Sequence, residues 1–91
     1  MNKQTKKIDN VVLVSIKPIG AYIMASEQVF ERSETIILKA RGKNINKVVN
    51  LTEILKRKGL KLESIEIGTD TLKTDEGKEI LVSKIEVTLK K

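Results

Sequence analysis

The chain has 91 residues, a formal net charge of +6, and neither cysteine nor histidine. Those absences exclude disulfides, thiolate zinc sites, haem ligation, Cys–His nucleophiles and imidazole bases, and no apolar run approaches the 18 residues of a membrane span. With 40% hydrophobic and 33% charged residues, the composition is that of one small folded domain whose thin core makes dimerisation a reasonable expectation.

In chain order, residues 1–8 are polar and basic and read as a flexible arm rather than a secretory leader, leaving a single domain over 9–91 in an expected cytoplasmic protein. Asn10 to Ile16 is a short apolar run rich in valine and predicts a buried strand. Pro18 suits the first position of a helix. Ile19, Tyr22, Ile23, Ser26, Val29 and Phe30 then share one helical face as far as about Arg32. The two aromatics, Tyr22 and Phe30, read as core, and Glu27, Glu31 and Glu34 as a solvated face.

Thr35 to Arg41 predicts a second strand. Asn44 is a good cap for a second helix, whose stripe runs through Ile45, Val48, Val49, Thr52 and Leu55, and Gly59 ends it. Leu51 and Ile54 lie off that stripe. Together with Leu55 they are either part of a broader core or the surface of a homodimer. Alternation from Leu62 to about Thr74 and from Ile80 to Leu89, across the turn Asp75-Glu76-Gly77-Lys78, predicts a β-hairpin. The order β-α-β-α-β-β makes a two-layer α/β (α+β) sandwich with both helices on one face.

The charge is unevenly spread. Residues 39–61 hold eight cations against Glu53 alone, more than the whole net charge, and such a basic stripe points to a polyanion. Within it Lys39, Arg41, Lys43 and Lys47 surround a glycine turn and a helix start with no acid among them. A helix start is already locally positive, with free N–H groups. Stacking cations there is unfavourable unless an external anion completes the site, and a phosphate is the natural one. Lysine outnumbers arginine, which occurs three times, so backbone contacts are expected over base-edge readout, with strong salt dependence. Two aromatics, both read as core, are too few for a stacking platform on single strands.

Right-handed crossovers make strands 1, 2 and 3 parallel if they share one sheet. Lys17, Arg41, Gly42, Lys43, Asn44 and Lys47 would then lie at one sheet end, with Lys73 and Lys78 on a hairpin tip projecting from the same side.

The segments 10–19 (NVVLVSIKPI), 40–49 (ARGKNINKVV), 65–68 (IEIG) and 82–87 (VSKIEV) resemble the Alba family of archaeal chromatin proteins, over nearly the whole chain. The resemblance implies a dimeric fold similar to the C-terminal domain of bacterial initiation factor three. It also implies binding of double-stranded DNA and RNA across the dimer, with hairpin arms along the minor groove. By position Lys17, Arg41, Lys43 and Lys47 match the family's backbone contacts, and Asn44 lies near them. Three departures stand out: Ile16 replaces the first of two lysines before the proline, the stretch at Gly59-Leu60 lacks an aromatic associated with dimer–dimer contact, and Asp75 and Glu76 occupy the hairpin tip.

The expected partners are therefore double-stranded DNA, RNA and a second copy of the chain, in a chromosome-associated role. No cofactor, metal, membrane or small-molecule substrate is expected. Two alternatives are weaker. A phosphate-ester enzyme would need a general base or metal carboxylates that the basic segment lacks. A ribonucleoprotein component of the ribonuclease P or ribosome type would use the same surface on A-form RNA.

Overall fold

The computed structural model describes residues 10–91, so the arm expected at 1–8 lies outside the described residues. The elements follow the expected order: β1 (Val11–Leu13), α1 (Ile19–Phe30), β2 (Thr35–Arg41), α2 (Ile45–Arg57), β3 (Lys61–Lys73) and β4 (Glu79–Lys90). They form one four-stranded sheet in the order β1-β2-β4-β3. β1 is parallel to β2, and β4 is antiparallel to both β2 and β3, so β3 runs parallel to β1 and β2 with β4 inserted between.

Alternate strand residues point to opposite faces, and only one face is covered by helices. Val12, Ile36, Leu38, Ala40, Ile85, Val87 and Leu89 are buried there, and Tyr22, Val29, Val48, Leu51 and Leu55 close over them. Leu51 and Leu55 are 0% and 1% exposed within a single chain, so they are core residues and not a docking surface. Ile54 is half-buried. The buried stripe of α2 is Val48, Leu51, Thr52 and Leu55, and Val49, expected within it, is 45% exposed. Both sets have helical spacing. The one that is buried is the one facing β2 and β4, on which α2 rests.

Three local boundaries differ from expectation. β1 stops at Leu13, because after the Val14 amide bonds to the Lys39 carbonyl (2.8 Å) the next amides turn to Tyr22. Pro18 is the residue before α1, extended at φ −62°, ψ 153°. Asn44 precedes α2 but its side chain makes no capping bond. A 3₁₀ turn, Gly42–Asn44, delivers the chain into the helix instead. Gly42 has φ +55°, a left-handed conformation that costs a non-glycine residue about 1–2 kcal/mol. The end of α2 is as expected: Gly59, at φ +104°, closes a Schellman motif, with its amide on the Lys56 carbonyl (3.0 Å) and the Leu60 amide on the Leu55 carbonyl (3.2 Å).

Candidate nucleic-acid interface

The carboxyl end of β2, the loop after β1, the start of α2 and the β3–β4 hairpin meet at one end of the sheet. Arg41 lies opposite Lys84 of β4, which lies opposite Gly68 of β3. Beyond this row the hairpin continues for five more pairs, Thr69↔Ser83 to Lys73↔Glu79, with no β2 beside it. At about 3.4 Å per residue it projects roughly 17 Å past the body. Its tip is closed by Thr74 and Gly77, with the Thr74 amide on the Lys78 carbonyl (2.8 Å) and the Gly77 amide on the Thr74 carbonyl (2.9 Å). Lys73, Lys78, Asp75 and Glu76 are all exposed there.

The loop between β1 and α1 is held by a clamp. The Tyr22 hydroxyl oxygen accepts the amides of Ser15 (2.8 Å) and Lys17 (3.2 Å). The Lys47 ammonium, 5.8 Å from the centre of the Tyr22 ring, donates to the carbonyls of the same two residues at 2.7 and 2.8 Å. Tyr22 is thus a core residue, as expected from its spacing, whose hydroxyl orders the segment bearing Lys17. Lys47, grouped by sequence with the phosphate contacts, has two of its three N–H donors on protein carbonyls. It adds positive charge to the site while bracing Lys17.

Arg41 and Lys84 share a carboxylate. The Arg41 Nε lies 3.1 Å from Asp70 Oδ2 and the Lys84 Nζ 2.8 Å from Asp70 Oδ1. The Lys84 hydrogen bond, with the charges of Lys84 and Arg41, outweighs desolvation and holds the Asp70 carboxyl below its ordinary 3.8. All three side chains project from the face away from the helices, where an open groove of about 710 Å³ is lined by Leu13, Lys39, Arg41, Asn44, Asp70 and Lys84 among others. A longer pair, Lys39 to Glu86 at 3.8 Å, lies beside it. Lys17, Lys43, Lys73 and Lys78 have no ion-pair partner among the described residues, and all four are exposed.

The fold thus gathers Lys17, Arg41, Gly42, Lys43, Asn44 and Lys47 at one end, with Lys73 and Lys78 on the arm beyond it. Sequence reasoning missed Asp70 and Lys84. Their placement comes from the hairpin register: closure between Thr74 and Lys78 pairs Gly68 with Lys84 and sets Asp70 diagonally across from it, within reach of a long side chain, whereas the turn expected at 75–78 pairs Gly68 with Ile85 and so turns those side chains to the other face. It also missed the hydroxyl of Tyr22, for which no signal exists along the chain. Among the described residues no cluster of three or more potential ligands could hold a metal ion, and no helix is long and apolar enough to cross a membrane.

A four-stranded mixed sheet with two helices on one face, cations at one end and a long projecting hairpin defines an α+β sandwich of the βαβαββ type. The chain belongs to the Alba family, whose model matches residues 10–71. It is 34% identical over 87 residues to the DNA/RNA-binding protein Alba of Methanocella arvoryzae, covering 91% of each chain. It is 39% identical over 85 residues to the protein of that name from Thermoplasma acidophilum, covering 89% of this chain and 94% of the relative. Among solved structures, Alba from Thermoplasma volcanium superposes with a TM-score of 0.81 at 37% identity, covering 90% of this chain and all of that one. ALBA1 from Trypanosoma brucei shares the fold with a TM-score of 0.76 at 20% identity, covering 91% and 69%.

Proposed function

We propose that this chain binds double-stranded nucleic acid, DNA foremost, through its phosphate backbone, without catalysing a reaction, and serves chromosome architecture in the cytoplasm. The observation that carries this reading is the set of exposed cations without ion-pair partners among the described residues, Lys17, Lys43, Lys73 and Lys78, on one end of the sheet and its arm. Exposed lysines not paired internally are free to replace the counterions of a duplex. The relatives' name, DNA/RNA-binding protein Alba, agrees with it and favours RNA as a second target.

The binding unit in this reading is a homodimer. The helix-side face of β3 carries Leu62, Ile65 and Ile67 at 41%, 53% and 81% exposure, and Val49 of α2 is exposed as well. An edge strand with an uncovered apolar row is an aggregation liability unless a partner covers it. Two protomers neutralising roughly four to six phosphates give a log–log salt slope of about −4 to −5.

The test is binding to a mixed-sequence DNA duplex and a matched RNA duplex over a salt series, with Arg41→Ala/Lys43→Ala alongside. A steep slope, with binding lost in the double variant, is the expected result, and the tighter duplex ranks the targets. Binding indifferent to both residues, or none at low salt, sinks the reading.

A further inference from the structure

We infer that Asp70 is an internal stand-in for a nucleic-acid phosphate: its carboxylate occupies Arg41 and Lys84 in the free protein, and a backbone phosphate takes its place on binding. This rests on the phosphate-binding reading above and adds to it a new contact, Lys84, and a built-in competitor.

Arg41 and Lys84 are directly opposed on neighbouring strands, a placement in which like charges repel. One anion between them relieves that repulsion, and Asp70 supplies it with one oxygen to each cation, at 3.1 and 2.8 Å. Carboxylate and phosphodiester oxygens offer the same kind of acceptor to guanidinium and ammonium groups. The site is therefore already shaped to an anion. It is also reachable: the Arg41 and Lys84 side chains are 58% and 48% exposed, and Asp70 is 25% exposed. Asp70 meets Arg41 at Nε, on the inner side of a guanidinium whose side chain is more than half exposed to an incoming phosphate. The position is where a duplex along the arm would pass, because Asp70 is the second residue past the Arg41–Lys84–Gly68 row on the projecting hairpin. A carboxylate that must be displaced lowers affinity and blunts the salt response, because freeing it takes up a cation while the phosphate releases one.

The experiment compares wild type, Asp70→Asn, Asp70→Asn/Lys84→Gln and Asp75→Asn for binding the same DNA duplex over the salt series. Asp75→Asn makes the same charge change at the exposed arm tip, away from Arg41 and Lys84, and so measures the general effect of removing one acid. Asp70→Asn is expected to bind about tenfold tighter with a steeper salt slope, several-fold beyond Asp75→Asn, and the gain is expected to vanish when Lys84 is also neutralised. Asp70→Ser repeats the measurement with a side chain that cannot bridge the two cations. An Asp70→Asn affinity equal to that of Asp75→Asn, or weaker than wild type, overturns the inference and makes Asp70 a brace for Arg41. That result leaves the phosphate-binding reading standing as long as Arg41→Ala/Lys43→Ala still abolishes binding. Wild-type binding that is absent or indifferent to Arg41 and Lys43 overturns both.

Discussion

At the scale of single residues, the cations of this chain divide by what they already hold. Lys47 is tied to two carbonyls and Arg41 and Lys84 to one carboxylate, whereas Lys17 and Lys43 have no ion-pair partner among the described residues. Identical side-chain chemistry thus has different consequences. The Tyr22 hydroxyl shows how much one oxygen can fix, since without it two amides of the Lys17 loop lose their acceptor. Tyr22→Phe should lower stability by about 1–2 kcal/mol, read as a lower urea midpoint at unchanged slope, and should weaken duplex binding several-fold by loosening Lys17. Asp70 sets an acid dependence. Its folded-state carboxyl titrates below 3.8, so the unfolded chain takes up the proton first. Its contribution is complete above the unfolded value and is lost as pH falls through the lower folded one. Wild type should therefore melt above Asp70→Asn near pH 7, with the gap closing below about pH 4 in a melting series.

At the scale of elements, α2 illustrates what periodicity leaves open. Ile45, Val48, Val49, Thr52 and Leu55 form one helical stripe, and Val48, Leu51, Thr52 and Leu55 form another rotated slightly around the axis. Docking onto β2 and β4 chose the second, burying Leu51 and leaving Val49 outside. Leu51→Ala should accordingly cost about 2–5 kcal/mol of unfolding free energy in chemical denaturation, the usual effect of a core cavity, at any protein concentration. A docking-surface role would instead give a loss that depends on concentration. The boundaries of α2 were readable from Asn44 and Gly59, although the Asn44 side chain does no capping. The length of β1 was not readable, because from Ser15 on the chain leaves the sheet for reasons that lie in Tyr22 and Lys47, which hold Ser15 and Lys17 from several to tens of residues away.

For the whole molecule, the exposed row Leu62, Ile65 and Ile67 calls for a cover. In the proposed dimer a second copy does so, and Ile67→Lys should then give a monomer in sedimentation equilibrium while keeping its fold by circular dichroism. Duplex affinity should fall along with the second cationic surface, by an order of magnitude or more through lost avidity. A dimer that survives Ile67→Lys would move the interface elsewhere. The long hairpin gives such an assembly two arms, and its register, unbroken from Ser64↔Thr88 to Lys73↔Glu79, carries Lys73 and Lys78 outward together.

The sequence by itself determined the element order, the strand–turn–helix around Gly42, the hairpin and the concentration of charge in residues 39–61. Each of these rests on local periodicity, glycine conformation or composition, which are properties of neighbours along the chain. Together with the segments that resemble Alba, they were enough to name the family. Only the tertiary structure decided that Leu51 and Leu55 are core, that Lys47 braces the Lys17 loop, and that Asp70 sits between Arg41 and Lys84. Those outcomes depend on which face a helix presents and which strands lie side by side, so they join residues 14 to 32 positions apart, or turn a helix by a fraction of a residue. No pattern along the chain encodes that choice, because it is made by packing.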